Sequence, residues 1–185
     1  MAKNWEEHIV KTLISREQIA TRVRELGEQI TNDYKDDDAP FVVVGILKGS
    51  VVFMSDLVRE IKLPLTMDFM EISSYGDNFT TSREIKIIKD LEHSVRGKNV
   101  LVVEDIIDSG LTLKKILKMI GKREPKKVIL CTLLNKEERR QADVDVQYIG
   151  FDIPDEFVSG YGLDYKQEYR NIPYVCVLDI HENKE

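Results

Sequence analysis

Glu104 and Asp105 stand side by side directly after the apolar run Val100–Val103, and Asp108 follows before a Ser109-Gly110-Leu111-Thr112 turn. Adjacent carboxylates repel each other unless a cation or a hydroxyl-bearing ligand shares the site. The turn offers backbone N–H groups, small side chains and the start of an amphipathic helix, a combination suited to phosphate. An acid here can also be a solvated residue in the first turn of a helix. That reading serves Asp108 or Ser109 alone, but serves poorly for two acids behind an apolar strand. The chemistry implied is that of a sugar phosphate, with carboxylates for hydroxyls or a metal and amides for the anion.

Other segments carry weaker signals. Leu47-Lys48-Gly49-Ser50 follows a second apolar run, where lysine and backbone amides can cradle an anion; it reads equally as an ordinary βα turn. It lacks the spacing of a P-loop. Ser73–Arg83 is polar and without apolar period, so it reads as a loop, either a plain hairpin tip or a lid that excludes water. Phe151–Arg170 is rich in aromatic residues and glycine and fits neither helix nor strand; its rings can stack a planar base or merely cover a core. His8, His93 and His181 are scattered, and no metal-ligand spacing appears. Paired acids at a strand end also mark Mg²⁺-holding receiver domains. There the pair lies near the start of the domain and a later strand ends in the acceptor aspartate, whereas Val128–Leu134 here ends in Asn135-Lys136.

The elements that position these groups alternate. Ser15-Arg16-Glu17-Gln18 has capping-box form and opens a helix to about Tyr34, with Ile19, Val23, Leu26 and Ile30 at helical spacing. Strands are predicted over Phe41–Ile46, Leu65–Ile72, Ile85–Ile88, Val100–Val103, Val128–Leu134, Val146–Phe151 and Tyr174–Leu178. Helices fall over Val51–Ile61 and from the phosphate turn to Gly121, the latter burying Leu113, Ile116, Leu117 and Ile120. Apolar strands interleaved with amphipathic helices imply an α/β fold, an open parallel sheet with helices on both faces. The section from Leu65 to Ile88 reads as an inserted hairpin.

The chain has 185 residues, with 42% hydrophobic and 32% charged residues and a net charge of −6. One domain over 1–185 accommodates that length. The acidic balance argues against general nucleic-acid binding, although Lys122–Arg123 with Lys126–Lys127, and Lys136 with Arg139–Arg140, form local basic clusters. No apolar stretch approaches the roughly 20 residues that cross a bilayer, and the N-terminus does not resemble a signal peptide. Cys131 and Cys176 lie inside apolar runs and read as buried free thiols, which fits a reducing cytoplasm.

Val102–Thr112, VVEDIIDSGLT, resembles the diphosphate-sugar motif of type I phosphoribosyltransferases. LKGS at 47–50, SSYG at 73–76, KIIKDL at 86–91, Asn135-Lys136, and PDEFVSGYGLDY with Arg170 are similar to the branch of that family that uses 6-oxopurines, in the same order and over about residues 10–180. The resemblance implies a small hood formed from N- and C-terminal segments (about 1–15 and 150–185) and a flexible lid over about 73–84. It implies purine salvage: Mg²⁺-dependent transfer of the 5-phosphoribosyl group of phosphoribosyl diphosphate (PRPP) to N9 of hypoxanthine or guanine, giving IMP or GMP and pyrophosphate. The second reading is a PRPP-sensing regulator with the same fold and no turnover.

Residue roles follow from the same resemblance. Glu104 and Asp105 hold the ribose hydroxyls and orient Mg²⁺, while Asp108 is the catalytic acid/base at purine N7. Asp108, Ser109, Gly110, Leu111 and Thr112 bind the 5′-phosphate. Lys48, Gly49 and Arg170 bind pyrophosphate, with the Leu47–Lys48 peptide cis. Lys136 donates to purine O6, Phe157 stacks on the base, the Val158 backbone reads its edge, and Asp164 serves the purine end and ligates a second Mg²⁺. Ser74 and Tyr75 belong to the lid. Some relatives carry lysine where this chain has Leu111, which leaves the amides as main phosphate binders. The resemblance also implies a homodimer or homotetramer acting on small molecules, without nucleic acid or membrane.

Overall fold

The computed structural model describes residues 5–75 and 84–179. The first described strand, β1 (Ile9–Ile14), runs into α1 (Arg16–Tyr34). There the capping box is formed: Ser15 Oγ accepts from the Gln18 N–H at 3.2 Å, and Gln18 Oε1 accepts from the Ser15 N–H at 2.8 Å. Next come β2 (Phe41–Leu47), α2 (Val51–Glu60) and the hairpin of β3 (Leu65–Tyr75) and β4 (Glu84–Lys89). After these lie β5 (Asn99–Ile107), α3 (Leu111–Gly121), β6 (Lys127–Asn135), β7 (Tyr148–Asp152), β8 (Val158–Ser159) and β9 (Val175–Leu178).

Six strands form one sheet in the order β4-β3-β2-β5-β6-β7. All neighbours are parallel except the β3–β4 edge pair. Alternation of side chains divides the core in two. Phe41, Val43, Leu101, Val103, Ile129 and Cys131 pack against α1 and α2. Val42, Val44, Val100, Val102 and Leu130 pack against Leu113, Ile116 and Ile120 of α3. A sheet covered on both faces needs apolar residues at every position, which is why its central strands read as unbroken runs. Gly27 brings the two helices of one face together, since a Cβ there would overlap the Glu60 side chain and backbone. Both cysteines are free and buried; burial raises the Cys131 thiol strongly and pushes that of Cys176 up to about 11, so neither is poised to react.

The second sheet has three antiparallel strands, β1-β9-β8, and joins residues from near both ends of the described chain. Several expected boundaries need correction. Strand β5 continues through the carboxylates to Ile107 and keeps pairing with β6 up to Ile107↔Asn135. The expected loop at 73–83 begins as strand, because Ser73, Ser74 and Tyr75 pair with Lys86, Ile85 and Glu84. The remainder of the expected lid, 76–83, lies outside the described residues, as do the side chains of Ser74 and Tyr75. Residues 146 and 147 precede β7, and Val175–Leu178 belongs to the small sheet.

Gly27→Val should force α1 from α2 at a cost of about 1–3 kcal/mol, read as a lower urea midpoint with the slope unchanged.

Candidate active site

Sheet order fixes where a ligand fits. From β2 the chain turns outward to β3, whereas β5, the other neighbour of β2, leads on to β6. The carboxyl ends of β2 and β5 therefore flank the point where strand order reverses, the usual crevice of open α/β sheets. Strand β2 pairs with β5 only as far as Gly45↔Val103. Beyond Val103, Glu104 and Asp105 lie on a strand that has lost its β2 neighbour, and the Lys48-Gly49 turn fills the gap. The Leu47–Lys48 peptide in that turn is cis.

Contact between the two strand ends is tight. A Cβ added to Gly49 would overlap the Asp105 carboxylate, and one added to Gly162 would overlap the Gly49 carbonyl. Gly162 also has φ +103, a conformation that side chains resist. Asp105, Gly49 and Gly162 thus form a stack in which the segment around Gly162 presses the turn onto the strand tip. Arg170 secures the upper layer, donating to the Gly162 carbonyl at 2.8 Å and pairing with Asp164 at 2.8 Å. Asp164 also accepts from the Gln167 N–H at 2.9 Å. Tyr161 donates to Asp56 on α2 at 2.5 Å, a further tie between this segment and the body of the fold.

Burial disfavours the charge on both strand-tip acids. It holds Glu104 well above the usual carboxylate range, with the neighbouring Asp105 adding to the effect. It pushes Asp105 up to about 6, partly offset by the Ile106 N–H donating at 2.8 Å and by the Arg170 charge. Such a pair lacks positive charge. Among the described residues no three His, Cys, Asp or Glu side chains converge to cage a metal. Two acids do suit Mg²⁺, which binds through one or two carboxylates and takes its other oxygens from water and phosphates.

The phosphate turn has the geometry of an anion cradle. Gly110 is the N-cap of α3 in the left-handed region (φ +76) and gives no side-chain cap. The first N–H groups of the helix have no intrahelical acceptors and can receive an anion. Leu111 is exposed, and its N–H reaches Ser109 Oγ only at 3.5 Å. The segment after β6 is stitched to this turn. The Lys136 N–H donates to the Ile107 carbonyl at 2.9 Å, and the Gln141 and Ala142 N–H groups donate to that of Ser109 at 3.0 and 3.1 Å.

Those bonds set Lys136 beside the turn. Its side chain is 9% exposed, and its ammonium meets Asp155 at 3.4 Å, a long contact for a group with three donors. Phe157 is 43% exposed, with its edge set against Tyr165 at 5.6 Å and 81°. Val158 is buried in β8. Asp108 pairs with Arg139 at 3.0 Å. The basic clusters are internally compensated: Arg123 pairs with Asp90 at 2.8 Å and Lys126 with Asp37 at 2.6 Å. Arg139, Asp155 and Gly162 carry no role in the sequence reading, although Arg139 lies in the basic cluster with Lys136 and the other two lie within PDEFVSGYGLDY.

A family model described as a phosphoribosyl transferase domain matches residues 10–166. The chain is 54% identical over 169 residues to a hypoxanthine phosphoribosyltransferase of Salmonella typhimurium, covering 91% of this chain and 95% of that one. It is 48% identical over 170 residues to a hypoxanthine-guanine phosphoribosyltransferase of Bacillus subtilis, covering 92% and 93%. A hypoxanthine phosphoribosyltransferase structure from Staphylococcus aureus superposes with TM-score 0.91 at 45% identity, covering 97% and 96% of the two chains.

The raised strand-tip acids set the sign of a pH effect. An acid whose folded pKa exceeds its unfolded one costs stability above the folded value, and the cost vanishes as pH falls toward the unfolded value. For Asp105 the window runs from about 6 down to 3.8. Asp105→Asn should therefore raise the stability of the ligand-free chain at pH 7.5 by about 1–2 kcal/mol, screening included. The gain should shrink toward pH 4 in denaturant titrations; a gain independent of pH would contradict the assignment.

Proposed function

Because this chain belongs to the phosphoribosyl transferase family, we propose that its strand-tip acids, phosphate turn and Lys136 pocket hold the two substrates of a 6-oxopurine phosphoribosyl transfer. The chain is a purine-salvage enzyme that moves the 5-phosphoribosyl group of PRPP to N9 of hypoxanthine or guanine, releasing IMP or GMP and pyrophosphate. The observation that carries the site assignment is the juxtaposition of an uncapped helix start, two charge-starved carboxylates and a buried lysine around one crevice.

The 5′-phosphate docks on the amides and hydroxyls of Asp108–Thr112. Glu104 and Asp105 accept from the ribose 2′- and 3′-hydroxyls. Lys48, the Gly49 amide and Arg170 hold the pyrophosphate. Lys136 donates to purine O6, Phe157 stacks on the ring, and the Val158 backbone meets its edge. Adenine offers an amine at that position and would set its donors against the donors of the Lys136 ammonium, which selects against it. As N9 attacks C1′ and the pyrophosphate departs with the bonding electrons, Asp108 takes the proton from N7. Mg²⁺, when bound through Glu104 and Asp105 and at a second place through Asp164, supplies positive charge to the leaving group. The small sheet of β1, β8 and β9 serves as the hood over the base, and the segment that includes Ser74 and Tyr75 serves as the lid.

No observation favours the regulator reading. A homodimer or homotetramer is supported by apolar side chains left exposed near the hairpin edge and at the start of α2: Ile87, Ile88, Met67 and Val51. Small-molecule partners, no nucleic acid and a cytoplasmic setting complete the proposal; among the described residues no helix is long and apolar enough to cross a membrane.

With PRPP, Mg²⁺ and hypoxanthine or guanine, the chain should release pyrophosphate, and chelating the metal should stop it. Asp108→Ala should lower turnover by roughly a hundredfold or more while PRPP affinity is largely kept; wild-type turnover in that variant would remove Asp108 from the mechanism. Light scattering should give a mass of two or four chains, and Ile88→Lys should lower it; a monomeric wild type would refute the assembly.

A further inference from the structure

Four charges of alternating sign line the mouth of the purine pocket. Arg139 Nε lies 3.0 Å from Asp108 Oδ1, its Nη1 lies 3.2 Å from Asp155 Oδ1, and Lys136 Nζ lies 3.4 Å from that same Asp155 oxygen. Arg139 ends a short 3-10 turn (Glu137–Arg139) directly after Lys136, closed by its N–H donating to the Lys136 carbonyl at 3.3 Å. The following residues bond to the Ser109 carbonyl, so this turn moves with the phosphate turn rather than freely.

The two oxygens of Asp108 differ. Oδ1, beside the guanidinium, is closed to solvent and accepts no hydrogen bond, so its pairing with Arg139 is one of charge, while the Asp108 side chain as a whole is 47% exposed. The open part of the carboxylate is therefore the Oδ2 side. An ion pair on one oxygen that leaves the other open orients a proton acceptor much as a carboxylate orients a catalytic imidazole.

We propose that Arg139 is a positioning residue for the transfer. Its charge lies against Oδ1 of Asp108, leaves Oδ2 to the base and, through Asp155, sets Lys136 at a fixed place relative to that acceptor. This inference rests on the reading above that Asp108 manages the purine proton. The N9 lone pair forms the bond to C1′, the C1′–O bond breaks with its electrons leaving on pyrophosphate, and the N7 proton passes to Asp108 Oδ2. Arg139 touches none of the reacting atoms. Its contribution is to keep the acceptor aligned before transfer, and a carboxylate free to turn would spend part of its time misdirected.

The experiment is a double-mutant cycle on pyrophosphate release. Arg139→Met should lower kcat on the order of tenfold to a hundredfold and leave the KM for PRPP within about twofold. Arg139→Lys, which keeps the charge, should recover part of that loss. In Asp108→Asn the same Arg139→Met change should cost markedly less, because the acceptor it aligns is gone and only its hold on Lys136 through Asp155 remains. Wild-type kcat in Arg139→Met, no recovery with lysine, or a kcat loss repeated in full on Asp108→Asn would overturn the proposal. Should the methionine variant not fold, Arg139→Gln on the half-exposed turn reads the same cycle. A wild-type chain that releases no pyrophosphate would sink the parent reading and this one together. An active wild type with a crippled Asp108→Asn and an unaffected Arg139→Met would sink this one alone.

Discussion

Asp105 against Gly49 is the contact on which the site depends. The carboxylate occupies the space that any side chain at 49 would need, and Gly162 closes over the other side of the same turn. The sheet sets the meeting place by ending the β2–β5 pairing at Val103. From that arrangement follow the crowding of the acids, their lost hydration and their readiness for a positively charged or hydroxyl-rich ligand. Stability and function pull in opposite directions here, since the charge that binds substrate is the charge the empty fold would rather neutralise.

The two faces of the crevice work differently. On the proposed phosphate side, backbone amides at the start of α3 lead, joined by the hydroxyls of the same turn. On the purine side they are side chains, and ion pairs hold them: Lys136 through Asp155 and Asp108 through Arg139. A rigid anion cradle beside a polar pocket that exchanges partners suits a reaction in which the sugar stays and the leaving group changes.

Much of this was legible in the chain. Unbroken apolar runs such as Val100–Val103 announce strands buried on both faces, and the Ser15–Gln18 box marks a helix start to the residue. The acidic pair and the glycine turn carried the site, because their composition makes little sense without a ligand. Strand β5 running on to Ile107 was not legible: backbone pairing with β6 persists where side-chain pattern has already changed to polar. The β1–β9 pairing also escaped, since the exposed positions of Ile9–Ile14 blur the alternation and the partner lies far along the chain. Arg139 read as part of a basic cluster; only the fold brings Asp108 and Asp155 to it. Local pattern encodes elements and turns, whereas contacts across the crevice depend on sheet order.

The small sheet has a consequence for how the molecule comes into being. Its middle strand, β9, is the last of the described strands, and both β1 and β8 hang on it. During synthesis the six-stranded sheet can assemble while the small one is still incomplete, because Val175–Leu178 has yet to emerge. The early strand β1 must wait, unpaired, for almost the whole chain. A growing polypeptide therefore completes the large sheet before the small one can close.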